Sequence, residues 1–129
     1  MKYYYNTVLR NQGFHETVQK VIEALKKEKF GVLTTIDLKA TFKKKLEVDF
    51  RNYVILGACN PPFAYKALQA EDKIGTLLPC NVIVQEKEAG LIEVSAVNPM
   101  VSMQGVDNDS LEDIATEVAA KLQNVISSL

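Results

Sequence analysis

Apolar residues along this chain repeat with two different periods, and segments of the two kinds alternate. Tyr3 to Leu9 is aromatic and β-branched, with Tyr3, Tyr5 and Thr7 on one face and Tyr4 and Val8 on the other, which predicts a strand. Asn11-Gln12-Gly13 breaks it. From Phe14 to Lys27 the period lengthens: Phe14, Val18, Val21, Ile22 and Leu25 share one side of a helix, and Glu16, Gln19, Lys20, Glu23, Lys26 and Lys27 fill the other. Such a helix covers a sheet on one side only. Phe30-Gly31 ends it, and Val32 to Ile36 predicts a short strand. Asp37 caps a weaker helix from Leu38 to Leu46 with Leu38, Thr41 and Phe42 inward.

Tyr53 to Ala58 is almost continuously apolar, which predicts a central strand buried on both faces, or on one face with a partner on the other. Asn60 followed by Pro61 predicts a helix start, Asn60 accepting from an orphan N–H and Pro61 fitting the first helical position. Phe63, Ala64, Ala67 and Leu68 give a short helix ending near Asp72, with Ile74 to Pro79 as a connector. Asn81 to Glu86 and Leu91 to Val97 flank a tight turn at Glu88-Ala89-Gly90, which predicts a hairpin. Asn98-Pro99 closes it, and Met100 to Asn108 reads as a loop. Asp109 is the expected cap of a last helix, with Glu112 three residues on and a stripe of Leu111, Ile114, Ala115, Val118, Leu122, Val125 and Ile126.

The order is β-α-β-α-β-α-β-β-α. Short crossovers and one clear hairpin predict an α+β architecture: a mixed, largely antiparallel sheet with its helices packed mainly on one face. The other face then needs cover, and a second copy of the chain in a homodimer is the economical candidate. With 129 residues and no linker, repeat or low-complexity segment, residues 1–129 are expected to form a single domain.

Charge narrows the functional classes. A formal net charge of -1 and a pI of about 5.8 speak against a nucleic-acid binder, which carries a basic stripe. The one basic run, Lys43-Lys44-Lys45, is the solvated side of a helix. No apolar run approaches the ~20 residues of a membrane span. Met1-Lys2-Tyr3 leads straight into the first strand without the apolar stretch of a secretory signal, so a cytoplasmic location and reduced thiols are expected.

Two Cys-Asn pairs hold the candidate chemistry: Cys59-Asn60 at the end of one apolar strand and Cys80-Asn81 at the start of another. If those strands are antiparallel neighbours, the helix between them leaves and re-enters the sheet at one end, and the cysteines lie close together. Proximity permits a reversible disulfide, a soft-metal thiolate pair, or a nucleophile with a resolving partner. The competing reading is ordinary packing, because cysteine is among the most buried residue types. Two cysteines and His15, without C-x-x-C or H-x-x-x-H spacing, fall short of a zinc site, and no metal site is assigned. Asp37, Asp49 and Arg51 read as a cap and surface charges, and Met100, Met103 and Tyr3 to Tyr5 as packing residues. No P-loop, dinucleotide glycine fingerprint, nucleophile elbow or carboxylate pair occurs.

Taken together, Gly57-Ala58-Cys59-Asn60-Pro61, Leu77-Leu78-Pro79-Cys80-Asn81-Val82, Phe30-Gly31-Val32-Leu33, Ile36-Asp37 and Asn98-Pro99 resemble, in that order, a small bacterial and archaeal family known as domain of unknown function 302. The resemblance covers nearly the whole chain. It implies a compact α+β fold similar to the TATA-binding-protein-like class and a tendency to dimerise, and it implies neither an activity nor DNA binding. The working expectation is a dimeric module for a small ligand or soft metal at Cys59, Asn60, Cys80 and Asn81. The alternatives are a thiol-dependent redox protein or enzyme, and an interaction domain using the uncovered sheet face.

Overall fold

A computed structural model describes residues 1–129. Five strands form one open sheet: β1 (Tyr4–Arg10), β2 (Gly31–Asp37), β3 (Tyr53–Cys59), β4 (Cys80–Glu88) and β5 (Leu91–Val97), in spatial order β1-β5-β4-β3-β2. All four pairings are antiparallel, so the sheet is not mixed. β4, not β3, is the central strand. The helices are α1 (Phe14–Lys27), α2 (Leu38–Leu46), α3 (Pro61–Ala70), α4 (Pro99–Ser102) and α5 (Ser110–Ser127). Two short helical pieces replace expected irregular chain. A 3-10 helix, Asp72–Leu77, occupies the connector after α3, and α4 lies within the loop expected after Asn98.

One side of the sheet holds the core. Leu56, Val82, Val84, Ile92, Val94 and Ala96 are fully buried, and they pack with Val21 and Leu25 of α1 and Leu122 and Val125 of α5. Each large side chain so buried contributes about 1.5–3 kcal/mol. Alternation puts Tyr53, Ile55 and Ile83 on the other side, where they remain partly exposed. β3 therefore buries one face fully and the other in part. β2, at the edge, is mostly exposed and carries an irregularity between Val32 and Thr34, which blunts that edge against further strand pairing.

α1 ends by a left-handed residue, Lys29 with φ 69°, and Phe30 N–H reaches back to the Leu25 carbonyl at 2.9 Å. The break thus falls at Lys29, with Gly31 already in β2. Asp37 caps α2 as expected, its Oδ1 accepting from Ala40 N–H at 3.0 Å. Asp109 does not cap α5, because its backbone is already helical. Asn108 does: its Oδ1 accepts from Ser110 N–H at 3.0 Å, while its amide donates to the Ala70 carbonyl at 2.8 Å, tying the start of α5 to the end of α3. No helix is long and apolar enough to cross a membrane.

Candidate functional site

β3 and β4 are antiparallel neighbours in which Ala58 stands opposite Cys80, so α3 and the 3-10 helix leave and rejoin the sheet at one end. Cys59 stands one residue further on, opposite Gly31. That offset aims the two cysteine side chains toward opposite sides of the sheet. Both nevertheless line a single cavity of about 350 Å³, which wraps the sheet end between α3, α5 and the strand termini. The wall is made by residues such as Phe30, Phe63, Ala67, Leu78, Ile114 and Val118; of 18 lining residues 14 are hydrophobic, and none is charged. Leu33 and Leu68, both well exposed, mark its mouth.

The cysteines are free thiols. Burial pushes the Cys80 thiol up to about 11, with the neighbouring Cys59 adding to the rise, and burial raises Cys59 as well. Both are therefore neutral near pH 7, the opposite of the acidified state that a nucleophilic or metal-binding thiol needs. The positive end of α3, a feature that favours a thiolate, does not overcome the apolar wall.

Asn60 is 6% exposed and is the one polar side chain in the wall apart from the thiols. It does not cap α3 with its side chain. Instead its Nδ2 donates to the Glu28 carbonyl at 3.3 Å, at the C-terminal end of α1. A second Asn-Pro start shows why. Asn98 accepts from Met100 N–H at 3.1 Å, the second residue of its helix. At Asn60 that second residue is Pro62, which has no N–H to give.

Asn81 is parted from the other three candidates. It is exposed and lines a groove of about 410 Å³ on the opposite side of the sheet, with Tyr3, Tyr4, Tyr53, Ile83, Glu93 and Ser95. His15 is exposed on α1, its ring edge-on to Phe14. No group of three or more His, Cys, Asp or Glu side chains converges anywhere in the chain. Asp49 pairs with Lys43 at 3.2 Å on the surface, and Arg51 bonds Gln85 at 3.0 Å while lying over the Phe50 ring. Of the two methionines, Met103 joins the cavity wall, as do Ile114 and Val118 of α5. Those α5 residues were legible only as a core stripe. Nothing local distinguishes a residue facing a cavity from one facing packed core.

Residues 5–129 match the family described as domain of unknown function DUF302. The chain is also similar to a solved structure, the uncharacterized conserved DUF302 protein from Bacillus stearothermophilus. The two are 27% identical, the match covers 98% of each chain, and the TM-score is 0.88. No curated protein matches the chain.

Proposed function

The chain belongs to the DUF302 family, and we propose that this member is a binding module that holds a small molecule in the apolar cavity at the Cys59/Cys80 end of the sheet. The observation that carries the reading is the cavity itself. A cleft of about 350 Å³ with an almost wholly apolar wall is the usual setting of a small-molecule site. A dry engineered cavity of about 150 Å³ holds benzene, so there is room here for two fused rings.

The other readings of the cysteine pair are weaker. A thiol enzyme works through a thiolate, and both thiols are held protonated. A soft metal ion has to displace both of those protons, without a third acidic or imidazole ligand nearby. The thiols serve here as wall, and their reduced state suits the cytoplasm.

Calorimetric titration with naphthalene, for the wild type and for Ala67→Leu, tests the proposal. Ala67 is 2% exposed and lines the cavity, so leucine there fills it. Saturable binding by the wild type and its loss in the folded variant support the reading. Binding by neither, or equally by both, sinks it.

The uncovered sheet face favours a second, compatible reading. Val8 and Ile36 are more than two-fifths exposed there, beside partly exposed Ile55 and Ile83. We propose that a second copy of the chain covers this face. Sedimentation equilibrium at micromolar concentration is expected to give twice the mass of 14.4 kDa, reverting toward one chain in Ile83→Lys. A wild-type monomer rejects it.

A further inference from the structure

The polar features of the cavity restrict what it accepts. The wall has no cationic side chain to meet an anion and no carboxylate to meet a cation. A buried ion without a partner is strongly disfavoured, so the occupant is uncharged. The one amide in the wall is fixed and half used. Asn60 Nδ2 is committed to the Glu28 carbonyl, and no protein donor reaches Asn60 Oδ1.

The start of α3 supplies the complementary group. A helix normally offers several orphan N–H donors at its first turn, and such a cluster favours anions. Here Pro61 and Pro62 remove the first two, and Ala64 N–H is already bonded to the Asn60 carbonyl at 2.9 Å. Phe63 N–H alone has no acceptor in the protein. The terminus is thus reduced from an anion cradle to one donor, next to one spare acceptor on Asn60.

We infer that the cavity takes a small, uncharged, mainly apolar molecule carrying a single hydroxyl group, whose hydrogen is donated to Asn60 Oδ1 and whose oxygen accepts from Phe63 N–H. This inference rests on the small-molecule reading of the cavity and specifies its ligand class. A hydroxyl both donates and accepts through one atom. A carboxylate only accepts and brings a charge, and a plain hydrocarbon shuts water away from the Asn60 oxygen, which is open to solvent in the free protein, and gives it no bond in return. The cost of stripping water from that oxygen without replacing its bond, rather than any gain from a new bond, sets the preference.

The test is a matched series of naphthalene, 2-naphthol and 2-naphthoate, titrated calorimetrically into the wild type, Asn60→Leu and Pro62→Ala at neutral pH. For the wild type, 2-naphthol is expected to bind about tenfold more tightly than naphthalene, and 2-naphthoate more weakly than either. Asn60→Leu abolishes the preference for the hydroxyl while retaining naphthalene. Pro62→Ala gives Asn60 an N–H to cap and narrows the preference without touching the wall, so it keeps the test sharp if Asn60→Leu fails to fold. Equal wild-type affinities for naphthalene and 2-naphthol, or tightest binding of 2-naphthoate, overturn the ligand class and leave the cavity reading standing. No binding of any of the three overturns the cavity reading itself.

Discussion

The two sides of the sheet at its cysteine end differ in kind, although adjacent residues of the same strands build them. Cys80 lines the cavity, whereas Asn81 beside it lines the groove on the opposite side. The cavity has an apolar wall, two protonated thiols and one amide. The groove is more polar, with Glu93 paired to Lys87 at 3.2 Å and the Ser95 hydroxyl donating to Asn6 Oδ1 at 2.6 Å. Strand alternation separates Cys80 from Asn81, while Cys59, aimed to the same side as Asn81, still borders the cavity where it wraps the sheet end. In the groove, Glu93 and Ser95 already have protein partners. In the cavity, Asn60 Oδ1 and Phe63 N–H have no partner in the protein, and an apolar wall with one free donor and one free acceptor is the better candidate for a ligand.

Substitutions that add atoms to the two sides should break this comparison most visibly. Gly57 lies between β2 and Pro79, and a β-carbon there would collide with the Thr34 hydroxyl and approach Pro79 Cγ to 2.8 Å. Gly57→Ala is expected to cost about 2–3 kcal/mol in urea unfolding. By contrast Ala67→Leu, which fills the cavity, should stay within about 1 kcal/mol of wild type, of either sign. A loss at Ala67 as large as that at Gly57 would mean that the cavity is packed core.

Base should loosen the cavity end. The folded-state pKa of Cys80 is raised, to about 11. The unfolded chain therefore releases its proton first as pH rises, and the stability present below about pH 9 is lost between there and pH 11, by about 2 kcal/mol. Cys80→Ala should flatten that alkaline slope in chemical unfolding followed by circular dichroism. At the far end of β4 the sign reverses. The Asn52 amide, followed by Gly90 N–H, holds the Glu86 carboxyl below its usual range. That contribution is present at neutral pH and is lost as pH falls through the lowered folded value.

The tie between the two cavity helices should matter somewhat less. Asn108→Ala removes a cap and the bond to the Ala70 carbonyl, and is expected to cost about 1.5 kcal/mol. It should also weaken naphthalene binding, because α3 and α5 are opposite walls. The smallest effect is a gain. Lys29 occupies a left-handed conformation next to Phe30 of the cavity wall, and Lys29→Gly should stabilise the fold by about 0.5–1 kcal/mol in thermal unfolding.

These residues also show what a sequence can carry. The period-two and helical segments placed all five strands and the long helices, because those periods record which face is buried. The Cys-Asn repeat correctly marked the two strand ends that meet. It misled where it suggested one site of four residues, since Asn81 is a single step along a pleated strand from Cys80 and so faces away. The side-chain cap expected from Asn60 failed because a second proline removes its partner, a detail visible in Asn60-Pro61-Pro62 once compared with Asn98-Pro99-Met100. Asn108 was obscured by the neighbouring Asp109, an equally good cap by type. A small-ligand site at the Cys59/Cys80 strand ends was expected, but the rest of its wall was not legible: Phe30, Met103, Ile114 and Val118 come from distant segments, and only the packed fold shows that they leave a space.

The most direct test of the account is a carbon-13 methyl spectrum of the protein titrated with 2-naphthol. Ile114 and Val118 report on the cavity, and Ile83 and Val97 report on the groove. The account predicts saturable shifts of the Ile114 and Val118 methyls while Ile83 and Val97 stay unmoved. Shifts confined to Ile83 and Val97, or a spectrum that does not respond, would contradict it.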